Sequence, residues 1–106
     1  MDNHLHGRFY DDEFFWPVFK KAEELDMPIY LHPTFATDSM MDRYRGNYPD
    51  STALALSAFG WGWHSETGLH ILRLYAAGLF DRFPRLKIVI GHMGELIHFS
   101  LRESLV

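Results

Sequence analysis

The sequence predicts an α/β fold built on parallel strands, and three observations carry the prediction. Two short runs, 27–33 (MPIYLHP) and 86–92 (LKIVIGH), are apolar at consecutive rather than alternate positions, the pattern of strands covered on both faces. Each is preceded by a stretch with helical spacing of its apolar residues. The two runs are also too far apart for a hairpin, so a helical crossover must join them and they should pair in parallel.

The first helix is expected in FFWPVFKKAEELD, residues 14–26. Phe15, Val18, Phe19, Ala22 and Leu25 recur at three- and four-residue spacing, and Lys20, Lys21, Glu23 and Glu24 fall on the other side. Asp11 or Asp12 can supply the N-cap, and Pro17, which lacks a donor, confines regular helix to about residue 16 onward. The strand at 27–33 lies between two prolines and ends in His32. Residues 34–63 hold Gly, Asn, Asp, Ser and Pro around the apolar patch TALALSAFGWGW, which predicts a long excursion containing one short helix. From Ser65 to Phe83 apolar residues cover more than one helical face, predicting a largely buried helix that Pro84 ends. The second strand follows, ending in His92, and ELIHFSLRESLV opens a further helical pattern.

Because parallel strands point the same way, their downstream ends share one edge of the sheet, with neighbouring strands about 4.8 Å apart. His32 and His92 should therefore face a common space. Parallel α/β sheets place ligands and catalysis at that edge. Glu95 by itself reads as a first-turn residue favoured by the helix dipole, but beside two strand-end histidines it reads as part of a site. Gly91 and Gly94 flank His92 and would let backbone and substrate approach closely.

Other candidates carry less. His4 and His6 form a His-x-His pair, which on a strand would point both rings to one face as metal ligands, yet no strand pattern surrounds them. His64, His70 and His98 read as packing or hydrogen-bonding residues rather than ligands, with Glu66 and His70 four apart on one helical face. Asp11, Asp12, Asp38, Asp42 and Asp50 suit helix caps and turns. There is no Gly-rich phosphate loop and no Gly-x-Ser-x-Gly elbow.

Composition narrows the class further. The chain has 106 residues, room for one small domain or one piece of a larger one, and 47% hydrophobic residues mark it as globular. A net charge of -4 with no Lys/Arg cluster argues against nucleic acid. With no cysteine, any metal must use His and carboxylates, and a reducing cytosol suits the composition. No apolar run approaches the roughly 18 residues of a membrane span, and the N-terminus lacks a signal pattern, so a cytoplasmic chain with no membrane partner is expected.

PIYLHP followed by WHSETGLHILRLYAAGLFDRFPRLKIVIGHMGE closely resembles the amidohydrolase-related decarboxylases, the group acting on γ-resorcylate, 2,3-dihydroxybenzoate and aminocarboxymuconate semialdehyde. GRFYDDEFFWPVFKKAEELDMP is similar to the segment before that family's fifth barrel strand. The resemblance implies a (β/α)8 TIM barrel with one zinc or manganese ion at its mouth and a small carboxylic acid as substrate. It makes His32 a metal ligand and His92 with Glu95 catalytic, the two hydrogen-bonded for proton transfer. The family's N-terminal Glu-x-His or His-x-His motif and its late aspartate have no counterpart here, and two strands stand where a barrel has eight. The chain thus resembles the central third of such an enzyme, with one ligand where a catalytic metal takes about three. Alone it is expected to bind metal weakly or not at all, to be inactive, and to self-associate as a homo-oligomer through uncovered strand edges. A hydrolase of the same superfamily and a non-catalytic self-associating module are the alternatives.

Overall fold

The structure is a computed structural model, and it describes residues 1–2 and 4–95. The helix expected from Glu95 onward, with His98, lies outside those residues apart from Glu95 itself. The described chain contains α1 (Trp16–Glu24), β1 (Ile29–Leu31), α2 (Asp38–Met41), α3 (Asp50–Ala55), α4 (Gly62–Ala76), α5 (Leu79–Arg82) and β2 (Ile88–Ile90).

The two strands pair in parallel, Ile29 with Ile88, Tyr30 with Val89 and Leu31 with Ile90. β1 also has a neighbour on its other side. Asp2 bridges to His32 in parallel, the Met1 ammonium donates to the Tyr30 carbonyl at 2.6 Å, and the His32 N–H donates to the Met1 carbonyl at 2.7 Å. Helices cover one face of this small sheet. Ile29 and Leu31 are buried there with Phe15, Phe19, Ile71, Leu74, Leu79, Phe83 and Leu86. The other face is open: the register partners Tyr30 and Val89 remain 45% and 44% exposed. Burial on both faces, expected from the continuous apolar runs, is therefore met on one face only.

α1 begins where expected. The Asp12 side chain accepts from the Phe14 N–H at the head of a short 3-10 turn over Glu13–Phe15, and Pro17 occupies the first turn of the helix behind it. Its end is a left-handed cap: Asp26 has φ 49°, and the N–H groups of Asp26 and Met27 return to the carbonyls of Glu23 and Ala22. Lys87 pairs with Asp26 at 3.0 Å, and the Arg85 N–H donates to Glu23, tying α1 to the start of β2.

The excursion holds more helix than the sequence suggested: α2, α3 and a kinked wide turn over Leu56–Gly60, where Ala58 leaves helical geometry (φ -109°, ψ -118°). The helix expected over 65–83 is instead two. Gly78 adopts φ 80° just after α4 and breaks the run before α5 starts, a conformation that strains any residue with a Cβ.

α4 is also fastened to the N-terminal segment. Its fully buried His70 accepts the Tyr10 N–H at Nε2 (2.8 Å) between the rings of Phe9 and Tyr10, and Arg73 forms a two-pronged pair with Asp11 while stacking over Phe9. The packing and hydrogen-bonding role expected of His70 holds. Among the described residues no helix is long and apolar enough to cross a membrane.

Candidate active site

Parallel pairing in this register puts the last residues of β1 and β2, Leu31 and Ile90, side by side. His32 follows directly on one strand, and Gly91 and His92 follow on the other.

His32 continues the extended line of β1 and, by strand alternation, shares the open face with Tyr30, whose ring centroid lies 6.1 Å from its own. Its Nδ1 lies 2.6 Å from the Pro33 carbonyl. A carbonyl only accepts, so Nδ1 carries the proton and Nε2 presents its lone pair outward. That is the arrangement typical of a metal-binding histidine, whose second nitrogen is held by a backbone carbonyl.

The second strand end is built differently. Gly91 leaves β2 and a 3-10 turn runs over His92–Gly94, with the Gly94 and Glu95 N–H groups returning to the carbonyls of Gly91 and His92. His92, Gly94 and Glu95 have φ of 49°, 85° and 51°. Two non-glycine residues in the left-handed region within four positions cost about 1–2 kcal/mol each, strain that concentrates at functional sites. Glu95 is accordingly not in the first turn of a regular helix, as the sequence alone suggested, but turned back toward α4.

There the Glu95 side chain is fully buried, and its Oε2 lies 2.6 Å from Nδ1 of His64, a residue of the first turn of α4. The backbone reaches that depth because Gly68, one helical turn after His64, has no side chain: a Cβ there would sit 3.2 Å from the Glu95 carbonyl oxygen. His64 is held at its other nitrogen too, with Nε2 3.2 Å from the Phe59 carbonyl. A neutral imidazole has one N–H, so it satisfies only one of these two acceptors unless a second proton sits on the ring or on Oε2. Among the described residues Glu95 Oε1 is buried without a hydrogen-bond partner, as are Trp63 Nε1 and Thr67 Oγ1 on α4. Such atoms call for a partner, which ordered water or a bound group supplies.

His92 is exposed, and its ring stands edge-to-face on His64 with centroids 4.9 Å apart. One ligand atom each from His64, His92 and Glu95 lies within 4.8 Å of the others. Two nitrogens and a carboxylate oxygen make a donor set that suits a divalent ion such as zinc or manganese. His32, the ligand expected from the resemblance, is not part of this trio. The expected bond from His92 to Glu95 is replaced by the bond from His64, which the sequence left among the packing residues. The available signal was the His64–Gly68 spacing, a polar tip and a gap on one helical face.

The rival pair dissolves. His6 and Gly7 have φ of 50° and 83° in a tight turn closed by Leu5 and Arg8, so the two histidines are not on a strand. His4 accepts the Gly7 N–H at Nδ1 and donates from Nε2 to the Phe35 carbonyl, leaving no lone pair for a metal.

Beside the site, Phe35, Leu54, Ala58, Phe59 and Trp63 line an apolar recess next to His64. Glu66, two residues along α4, is buried, and desolvation pushes its carboxyl above the ordinary range while Arg43 and His4 pull it back.

Comparison with known proteins places this arrangement in context. The amidohydrolase family model Amidohydro_2 matches residues 2–101. Decarboxylase orsB of Emericella nidulans is 48% identical over 98% of this chain and 31% of its own length. A γ-resorcylate decarboxylase of Polaromonas sp. is 39% identical over 88% of this chain and 27% of its own. The crystal structure of 5-carboxyvanillate decarboxylase from Novosphingobium aromaticivorans superposes with a TM-score of 0.83 and 39% identity, covering 96% of this chain and 27% of that one. It is complexed with manganese and 4-hydroxy-3-methoxy-5-nitrobenzoic acid. The chain thus spans about a third of the length of the curated relatives it matches, and its two parallel strands with their helices correspond to part of such structures.

Proposed function

The chain belongs to the amidohydrolase family, and on that premise we propose that it carries one wall of the active site of a metal-dependent, non-oxidative decarboxylase of hydroxylated aromatic or related carboxylic acids. The observation that carries the reading is that His92 and a buried Glu95 gather at the sheet edge where His32 also ends, in a chain whose relatives are decarboxylases.

In this reading His32 is a ligand of the divalent ion, zinc or manganese, through the Nε2 that its bond to Pro33 leaves free. Such an ion, when bound, supplies a Lewis acid that holds the substrate carboxylate and a neighbouring oxygen. His92 and Glu95 handle the proton. A protonated His92 delivers H+ to the ring carbon bearing the carboxylate, the bond from that carbon to the carboxylate then breaks, and its electron pair restores the ring as CO2 departs. Glu95 holds the imidazole in orientation as it gains and loses charge. The aromatic recess next to His64 suits the ring of the substrate.

This reading assigns one ligand, His32, and uses His92 and Glu95 for the proton, so the 106-residue chain alone is expected to be inactive and to bind metal weakly. It is a single partial domain in this reading. Its open Tyr30–Val89 face favours self-association into a homo-oligomer, in a cytoplasmic setting without nucleic acid or membrane partners.

A product assay on a protein of full family length containing this segment tests the reaction. Release of one CO2 per aromatic acid consumed is the expected result. Hydrolysis of a lactone or amide without CO2 would replace decarboxylation by the hydrolase chemistry of the same superfamily.

A further inference from the structure

We propose that His64 is a positioning residue for Glu95 and, through it, for His92: it occupies one oxygen of the buried carboxylate and leaves the other as the acceptor that orients the His92 ring. The inference rests on the reading of Glu95 and His92 as the proton-handling pair.

A carboxylate with a fully buried side chain needs donors, because desolvation without them is costly. Among the described residues Glu95 has one, Nδ1 of His64 at 2.6 Å on Oε2, and none on Oε1. The donor is itself immobilised. The rings of His64 and His92 pack edge-to-face, and the far nitrogen of His64 lies 3.2 Å from the Phe59 carbonyl. Fixing Oε2 removes the rotational freedom of the carboxylate, so the direction of Oε1 is set by α4 and not by the turn that carries Glu95.

The candidate partner for that oxygen is His92. A ring nitrogen of His92 lies within 4.8 Å of a ring nitrogen of His64 and of one carboxylate oxygen of Glu95, a gap that one water spans. His92 is exposed and has no strand to hold it, since its φ of 49° already departs from β2. Glu95 Oε1 is a buried acceptor without a hydrogen-bond partner among the described residues, and it is the group that can orient the ring. Gly68 completes the device: by admitting the Glu95 backbone against α4, it brings the carboxylate to His64 on the same helical face.

A merely structural bond between β2 and α4 would stabilise the chain and leave His92 indifferent, so the test reads His92 itself. Side-chain 15N NMR on the 106-residue chain reports which ring nitrogen of His92 carries the proton, and thermal unfolding is followed in parallel. One dominant His92 tautomer is expected in the native chain. His64→Ala should lose that preference and show both tautomers, and His64→Gln, whose amide keeps a donor for Glu95, should restore it. Mixed tautomers in the native chain, or an unchanged His92 in folded His64→Ala, would overturn the proposal. Should His64→Ala not fold, Glu95→Met takes its place, since it keeps the length and removes both acceptor oxygens; an unchanged tautomer there overturns the proposal equally. No turnover is measured, so failure here leaves the decarboxylase reading standing, and a full-length protein that releases no CO2 leaves the NMR result unaffected.

Discussion

The two strand ends differ in how much of their chemistry is local. At β1 the imidazole of His32 is prepared locally, by a carbonyl one residue away that fixes its tautomer, while its backbone N–H is held by Met1 at the chain's start. At β2 the preparation comes from elsewhere. His92 and Glu95 sit in a strained turn whose buried carboxylate is held by α4, 31 residues earlier in the chain. In the proposed reading the difference matches two kinds of work. A ligand needs a lone pair held in place, which one neighbouring carbonyl provides, whereas proton transfer needs an acid and a base whose distances are controlled, which takes a second element.

The largest effects should come from breaking each end separately in a protein of full family length. His32→Ala is expected to lose the bound metal and, with it, measurable turnover. Glu95→Gln should retain metal within a few-fold and lose about 10²–10⁴ in kcat. Metal content by elemental analysis beside steady-state rates separates the two, and equal metal loss in both variants would erase the distinction drawn here.

A smaller effect should follow from filling the notch under Glu95. Gly68→Ala gains about 1 kcal/mol of helix propensity but places a methyl 3.2 Å from the Glu95 carbonyl oxygen, which overpacks a junction that cannot relax freely. A net loss of about 1 kcal/mol in thermal or denaturant unfolding is expected, with NMR shifts confined to the β2 end. Shifts at His32 of equal size would mean that the two ends are mechanically one.

The smallest effect concerns Glu66, which lies on α4 but outside both ends. Burial raises its folded pKa above the ordinary carboxyl range, so the native state holds this proton more tightly than the unfolded chain. Its contribution to stability is full below the unfolded value and is lost as pH rises through the raised folded one. Glu66→Gln should therefore be slightly more stable than the native chain at neutral pH and no different at low pH. A destabilised Glu66→Gln at pH 7 would show that the charge is used rather than tolerated.

Much of this was legible in the sequence because period and punctuation are local. α1, both strands, their parallel sense and the two strand-end histidines follow from apolar spacing and flanking prolines. The parts that were not legible depend on what touches what. His64 looks like any helical histidine until Glu95 is folded onto it, and two-sided burial of the strands fails because nothing among the described residues covers Tyr30 and Val89. Gly78 is an intermediate case: AAGLF contains a helix-ending glycine, but the apolar residues continue across it and mask the break.

The backbone bonds on both sides of β1 also set a clock. The amide of Ile29 is bonded to Lys87, just before β2, and that of His32 to Met1 on the opposite side. Exchange of these protons with solvent requires separating paired segments, whereas the Glu95 amide closes only a local turn at 3.3 Å. Deuterium should therefore enter the β2 terminus first and the β1 terminus late, leaving a slow anchor under His32 beside a fast joint under Glu95.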